Sequence, residues 1–491
     1  MIENISKLLK LININKRKKV IVLGIFIMFI SSFLYINLNN QSKVNYLITS
    51  VANKSASGKE NKPANEYFDD EIFYKVVVDA YNKENKTSLP YEANLTDEQL
   101  ETITSLSHGD YNKAESEKIS SVKGLEKLTS LQNLQLRYNK ISTIDISKNI
   151  KLTHLYLGNN NLSTIDVSKN TKLRLLDLEY NNLSNIDVGK NTALTDLWLN
   201  HNNLSSIYVS KNTALTVLNL YNNNLSSIDV SKNTALTSLH LSDNNLSSID
   251  VSKNTSLTYL NLSYNNLSSI DVSKNIKLTR LYLGNNNLSS IDVSKNTALT
   301  SLHLSYNNLS NIDVSKNIKL TSLYLGNNNL SNIDVSKNTA LKDLYLSSNP
   351  LKFKAYIKVG STKISNTIKM PEGSSKYYLS YNIENKKIAS FNNNKLEGLS
   401  VGTTNAKVTL NGLNLTLSGT ITVYDRLMGD INNDDEITIA DVSMLYNHIK
   451  RKKIITDSET LSVADVNGDK KITVADVSKL YNYVKHKITD L

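Results

Sequence analysis

From Leu131 onward the chain repeats every 21 residues, a period that restricts its possible folds more than any other feature. A leucine opens a unit at 131, 152, 173, 194, 215, 236, 257, 278, 299, 320 and 341, giving eleven units. Positions 1, 4 and 6 are always Leu, position 9 is always Asn, and position 11 is Ile or Leu. Position 14 is Ile and position 16 is Ile or Val until the last unit, where Lys354 and Tyr356 interrupt the pattern. A unit this short cannot enclose a core, so the units must stack and bury their apolar sides against one another. Side chains alternate along a strand, so the leucines at 4 and 6 face inward while positions 3, 5 and 7 face out. Strands stacked about 4.8 Å apart make a parallel sheet about 50 Å long. Asn at position 9, from Asn139 to Asn349, falls where each strand turns, and its amide can satisfy backbone groups of that turn. Position 15 is Asp in nine of the ten units that keep the motif, with Tyr208 the exception, and Lys at position 18 runs from Lys148 to Lys337. Both ladders read as structural or solvated.

This pattern is that of leucine-rich repeats, which implies a solenoid with a parallel β-sheet horseshoe over residues 119–351. Ile119, Val122, Leu125 and Leu128 form a partial unit ahead of the first complete one. The open end of such an array needs a cover, and residues 66–118 supply a helical cap. Ile72, Phe73, Val76, Val77 and Ala80 fall on one helix face, and Thr96 to Gln99 spells a capping box, with Leu100, Ile103 and Leu106 continuing at helical spacing. After Pro350 the period stops, and residues 352–425 carry β-prone stretches such as Lys407–Leu410 and Thr416–Tyr424. The stretch IASFNNNKLEGLSVGTTNAKVTL, from Ile388 to Leu410, resembles bacterial immunoglobulin-like domains and implies a β-sandwich spacer. Residues 119–356 also resemble bacterial surface proteins of the internalin kind, in which cap, solenoid and immunoglobulin-like domain follow in that order. That resemblance implies recognition or adhesion.

Residues 426–491 carry the strongest chemical signal. Asp430, Asn432, Asp434, Glu436 and Asp441 stand at positions 1, 3, 5, 7 and 12 of a loop, with position 7 able to offer its main-chain carbonyl and Thr438 at position 9. Asp465, Asn467, Asp469, Lys471, Thr473 and Asp476 repeat the pattern 35 residues later. Six to eight hard oxygens in a flexible loop suit Ca²⁺, so two ions are expected. Each loop leads into ADVSxLYN and a basic helical tail, and the first follows a β-prone stretch instead of an entering helix. The pair resembles a type I dockerin, which implies docking onto a cohesin domain of a scaffold. By that resemblance, recognition falls on Ile439, Ala440, Tyr446 and Asn447, or on their duplicates Val474, Ala475, Tyr481 and Asn482, in either of two orientations. Leu445 and Leu480 read as core. Position 6, usually Gly, is Asp435 in the first loop and Lys470 in the second, which predicts weaker calcium binding by the second.

The outward strand positions form a second candidate surface. Position 5 includes Tyr156, Trp198, His240, Tyr282, His303, Tyr324 and Tyr345, and position 8 adds Tyr138, Tyr180, His201, Tyr264 and Tyr306. Exposed aromatics are enriched at binding sites, so a polysaccharide or protein ligand is expected there. Asp177, Glu179 and Asp196 gather beside Trp198, but Glu179 is the only Glu of the array and an open strip gives no dry pocket to raise its pKa, so the three read as an acidic patch and not as a glycosidase pair. No nucleophile elbow, phosphate loop or metalloprotease motif appears, and the chain reads as non-catalytic.

Lys16 to Lys19 precede an apolar run from Val20 to about Tyr35, so residues 1–38 read as a signal peptide or retained membrane anchor. Residues 39–65 read as a polar linker, and everything beyond belongs outside the cytoplasmic membrane or at the cell surface. With no cysteine, disulfides and thiolate metal sites are excluded. The net charge of +11 is spread over the lysine ladder without a recognition motif, which argues against nucleic acid.

Overall fold

A computed structural model describes residues 67–485, apart from 363, 372–377, 414, 427, 435 and 457. The apolar run at 20–35 and the linker at 39–65 lie outside the described residues. Among the described residues no helix is long and apolar enough to cross a membrane. The chain divides into two compact units after Asn244.

The first unit opens with α1 (Glu71–Asn85), capped by Asp70 through the Phe73 amide and burying Phe73, Val76, Val77, Val78 and Ala80. The capping box forms as expected: Thr96 accepts from the Gln99 amide and the Gln99 side chain accepts from the Thr96 amide. The helix it starts, α2 (Asp97–Leu100), ends after four residues. The spacing of Leu100, Ile103 and Leu106 is therefore not a continuing helix. Glu84 takes the amides of Thr104 and Ser105, the chain extends, and Leu106 becomes the centre of β1 (Ser105–Ser107). β1 pairs in parallel with β2 (Asn133–Gln135), placing Leu106 beside Leu134. The parallel strands β3 (His154–Tyr156), β4 (Leu175–Asp177), β5 (Asp196–Trp198), β6 (Val217–Asn219) and β7 (Ser238–His240) follow in register. Leu134, Leu155, Leu176, Leu197, Leu218 and Leu239 are fully buried, each worth about 1.5–3 kcal/mol of apolar transfer.

Asparagine fixes the turns. Asn181 Oδ1 accepts from the Leu162 amide of the preceding repeat at 2.9 Å, while its Nδ2 donates to the carbonyls of Leu157, Leu178 and Glu179. Asn160, Asn202, Asn286 and Asn328 repeat these bonds in their own units. A second buried asparagine ladder, at position 19, runs beside it: Asn191 donates to the carbonyls of Val167 and Asn170, both at 2.9 Å. Aspartates at position 15 each accept the amide two residues on, as Asp166 does from Ser168 at 2.8 Å, and that bond holds the Asp166 carboxyl below its ordinary range.

The second unit continues with the parallel strands β8 (Tyr259–Asn261), β9 (Arg280–Tyr282), β10 (Ser301–His303) and β11 (Ser322–Tyr324), then β12 (Ile333–Asp334) and β13 (Asp343–Tyr345), the latter pairing with β11. Beyond it come β14 (Phe353–Lys358), β15 (Ile364–Asn366), β16 (Ile368–Lys369), β17 (Tyr378–Ile383), β18 (Ala389–Asn392), β19 (Lys395–Gly398), β20 (Gly402–Asn411) and β21 (Leu415–Tyr424). Five of these form one sheet in the order β15-β14-β21-β20-β17, with β14 and β21 parallel, and β18-β19 is a separate hairpin. β16 pairs with β12, and Lys369 meets Asp334 at 3.3 Å, tying this sheet region to the last repeats. The chain ends in α3 (Ile439–Ile449), α4 (Ser458–Ala464) and α5 (Val474–Val484) around a small core of Ile431, Val442, Leu445, Val463, Ala464, Val466 and Leu480.

Candidate binding and docking sites

Each acidic loop near the C-terminus closes onto the helix that follows it. Asp441 is fully buried; its Oδ1 accepts the amides of Ile431 and Asn432, and its Oδ2 accepts the Thr438 amide at 2.8 Å. Thr438 in turn caps α3 by accepting from the Ala440 amide. Asp476 is also fully buried and repeats these bonds with Asn467 and Thr473, while Thr473 caps α5. The threonines at position 9 thus act as helix caps, a role the loop pattern alone did not reveal. Asp430 is fully buried and accepts the Asp434 amide, and Asn432 donates to Asp434 at 2.8 Å. Asp465 is only half-buried, and Asn467 donates to Asp469 at 3.1 Å.

Among the described residues no group of three or more His, Asp or Glu side chains is gathered closely enough to hold a metal unaided. The donor set nevertheless suits calcium. Asp430, Asp434 and Asp441 bring carboxylates, Asn432 an amide oxygen and Glu436 a main-chain carbonyl, all hard oxygens. Asp465, Asn467, Asp469, Asp476 and the Lys471 carbonyl form the second set. Asp430, Asp441 and Asp476 are fully buried, and carboxylates so placed are costly without a countercharge. Asp435 lies outside the described residues. Lys470 has φ 66°, a left-handed conformation that favours glycine, so the departure at position 6 is a strained one.

The two helices present matching surfaces. Ile439 is 52% exposed and Val474 55%, Tyr446 44% and Tyr481 40%, whereas Leu445 and Leu480 are fully buried. Ala440 and Ala475 are exposed, and Asn447 and Asn482 half-buried. The Lys450 ammonium lies 5.7 Å from the Tyr446 ring, and Lys485 5.9 Å from that of Tyr481.

The strand faces of the two units differ. In the first, Arg137, at position 7 and overlooked in the sequence, forms an ion pair with Asp177. Its guanidinium lies 5.0 Å from the Tyr156 ring and 5.5 Å from Trp198. Asp177 is fully buried, and burial raises its pKa to about 6 against the opposing pull of the Glu179 amide and Arg137. Asp177 is thus a desolvated carboxyl on this strip, with Arg137 paired against it. The acidic patch is largely an internal ion pair. Tyr180 stacks on His201 at 3.9 Å, and Tyr221 meets His201 edge-on. Ser238 and His240 are hydrogen-bonded at 2.8 Å, Tyr138 is half-buried, and burial lowers the pKa of His201 and His240.

In the second unit the position-5 rings touch one another along the sheet: Tyr282 to His303 at 4.3 Å and His303 to Tyr324 at 4.0 Å, both tilted, and Tyr324 to Tyr345 stacked at 4.5 Å. Burial pushes the His303 pKa down to about 4. Of these three pairs only Tyr324 and Tyr345 are parallel, at 9°, so only there does one ring cover the face of the next. Tyr264 and Tyr306 stand beyond them, more than half exposed. All eleven residues at position 8, among them Tyr138, Tyr180, His201, Tyr264 and Tyr306, have φ between 50° and 60°. Asn suits that backbone; Tyr and His are strained by it.

Residues 428–485 match the model of the dockerin type I domain, and residues 232–252, 253–273 and 295–316 match that of a leucine-rich repeat. No curated protein matches the chain. Among solved structures, an internalin (InlF) of Listeria monocytogenes is 28% identical, covering 60% of this chain and 87% of its own with a TM-score of 0.55. The functional domain of InlJ from the same organism is 25% identical over 73% of this chain and 98% of its own, with a TM-score of 0.46. The chain thus carries leucine-rich repeats, similar in fold to InlF, and a C-terminal type I dockerin. Both recognised modules are binding modules.

Proposed function

We propose that this chain is a non-catalytic, exported binding protein that docks through its calcium-loaded dockerin onto a cohesin of a scaffold, as in a cellulosome-like, polysaccharide-degrading complex, and holds its repeat face out to a protein partner. The basic-then-apolar start directs export, residues 66–118 cap the array, and residues 352–425 serve as an immunoglobulin-like spacer. The observation that carries the docking role is the duplication: two oxygen-rich loops, each leading into a helix with the same half-exposed aliphatic and tyrosine positions. Calcium, when bound, supplies the positive charge that lets the loop carboxylates sit together. The residues of this chain then set the helix starts through Thr438, Asp441, Thr473 and Asp476. A protein ligand is favoured because Tyr264 and Tyr306, more than half exposed, are the kind of aromatic anchor that protein interfaces use.

The test is capture of the full chain by immobilised type I cohesin with calcium and with a chelator. Retention only with calcium is expected, and failure to bind any cohesin offered overturns the docking role. Replacing Tyr264 and Tyr306 together by Asn should weaken capture of the protein ligand about tenfold or more, as loss of aromatic anchors does, without changing cohesin binding.

A further inference from the structure

Tyr264 and Tyr306 stand two repeats apart at position 8, each in left-handed backbone (φ 55° and 58°) and more than half exposed. What such a ring touches depends on the repeat that follows. Beside Tyr180 the next repeat brings His201, and the two rings stack at 3.9 Å. Beside Tyr264 and Tyr306 it brings Asn285 and Asn327. Among the described residues neither of these two rings meets another, and neither hydroxyl has a hydrogen-bond partner.

The sheet ladder fixes their separation. Its parallel bonds continue out to position 8: the Tyr264 amide donates to the Gly284 carbonyl, the Asn285 amide to Ser305 and the Tyr306 amide to Gly326, each at 2.8 Å. Strands about 4.8 Å apart therefore set the two tyrosines about 9.6 Å apart along the array, with Gly284 and Asn285 between them. A polyproline II helix rises about 3.1 Å per residue with three residues per turn, so every third residue returns to the same side after about 9.3 Å. The two spacings agree to about 0.3 Å.

Charge and hydrogen bonding select in the same direction. Positions 5, 7 and 8 of the repeats opening at Leu257, Leu278, Leu299, Leu320 and Leu341 hold no Asp, Glu, Lys or Arg. Burial keeps His303 neutral at pH 7. The charges of these strands, such as Arg280 and Asp343, lie at their opposite end, at position 3. A charged segment laid over positions 5 to 8 would lose water without gaining a counterion. A polyproline II segment has no internal hydrogen bonds, so its carbonyls are free to accept from the Asn285 amide and the tyrosine hydroxyls.

We propose that this stretch of the repeat face takes an uncharged proline-rich segment in polyproline II form, with residues i and i+3 packed on Tyr264 and Tyr306 and Asn285 donating to a carbonyl between them. The proposal rests on the reading of the repeat face as a protein-binding surface and names the class of segment it binds. Such a segment is ordered before it arrives, so little conformational entropy opposes its binding.

The experiment is fluorescence anisotropy of labelled decaproline titrated with the full chain, with a glycine–serine peptide of the same length and labelled cellohexaose as the other probes. Saturable binding of decaproline alone is expected, weakened about tenfold or more by Tyr264→Asn and by Tyr306→Asn singly. Asn already occupies position 8 at 159, 222, 285 and 327, so these variants keep the turn, and unchanged cohesin binding checks that they fold. Tyr306→Asn combined with Asn327→Tyr keeps two tyrosines and Asn285 but sets the rings about 14.4 Å apart, between one turn of the ligand and two. Loss of binding in that variant supports the spacing argument, and binding at wild-type strength overturns it. Decaproline binding no better than the glycine–serine peptide overturns the proposal and leaves the protein-binding reading standing. Binding of cellohexaose in place of decaproline overturns both.

Discussion

Two buried asparagine ladders run through the same repeats, yet they should differ sharply in what their removal costs. Asn181 serves four backbone groups. Three are carbonyls that keep another donor: Leu157 retains Asn160, Leu178 retains Asn202, and Glu179 retains the Asn159 amide. The fourth is the Leu162 amide, which donates to Asn181 Oδ1 at 2.9 Å within a fully buried residue. Asn181→Ala strands that amide, costing about 1–3 kcal/mol, and weakens three carbonyls by about 1 kcal/mol more together, for a loss of about 3 kcal/mol. Asn191→Ala removes two bonds, to Val167 and Asn170, whose carbonyls keep the amides of Asn170 and Leu173. It also removes a buried Oδ1 that has no hydrogen-bond partner, which offsets part of the loss and leaves about 1 kcal/mol. Both substitutions leave the same void, so the difference of about 2 kcal/mol reflects the stranded donor. Hydrogen exchange of the full chain around Leu162 and Val167 reads this as roughly thirtyfold faster local opening in Asn181→Ala than in Asn191→Ala. Equal acceleration, or the reverse order, would refute the argument that an orphaned amide outweighs lost carbonyl bonds.

Three further expectations follow from the same ladders and strand face. Tyr208, 83% exposed, occupies the one position-15 site without Asp among the ten units that keep the motif; Tyr208→Asp should accept the Ser210 amide and stabilise the array by about 0.5 kcal/mol, seen as a small rise in thermal midpoint. Tyr306→Asn relieves a left-handed tyrosine (φ 58°) and should stabilise the second unit by about 1 kcal/mol in denaturant unfolding. Asp177 binds a proton more tightly when folded, with its pKa raised from 3.8 to about 6. Its contribution is therefore fully present below pH 4 and lost as pH rises through 6. At 1.36 kcal/mol per unit, Asp177→Asn should gain about 3 kcal/mol on the wild type between pH 4 and 7 in chemical unfolding, and parallel pH profiles would contradict this.

The repeat register was legible because one arrangement satisfies both its period and its Leu and Asn positions: Leu inside, Asn at the turn. The position-19 asparagines were as regular in the sequence as those at position 9, but nothing in the period says which amide meets a backbone donor and which meets only acceptors. Arg137 went unseen for a related reason. Its partner Asp177 lies 40 residues away, and only the parallel register brings positions 7 and 5 of units two apart onto one surface. The helix expected through Leu106 failed because spacing by three fits a helix face and also fits a turn followed by a strand. Glu84, on α1, decides between them by taking the two amides a continuing helix would have used.

The strain at position 8 bears on function in a way the period could not. Six of those eleven residues are Asn, Asp or Ser, which fit a left-handed turn more easily, while Tyr138, Tyr180, His201, Tyr264 and Tyr306 carry rings there. Duplication of a repeat explains why a residue recurs, but a tyrosine held in strained backbone and more than half exposed at 264 and 306 stabilises neither the turn nor the core. Strain of this kind persists where the side chain is wanted by something outside the fold. The turn position thus distinguishes residues kept for contact from residues kept for packing, which the rings at position 5 from Tyr282 to Tyr345 cannot do, because their contacts with one another give each of them a structural role.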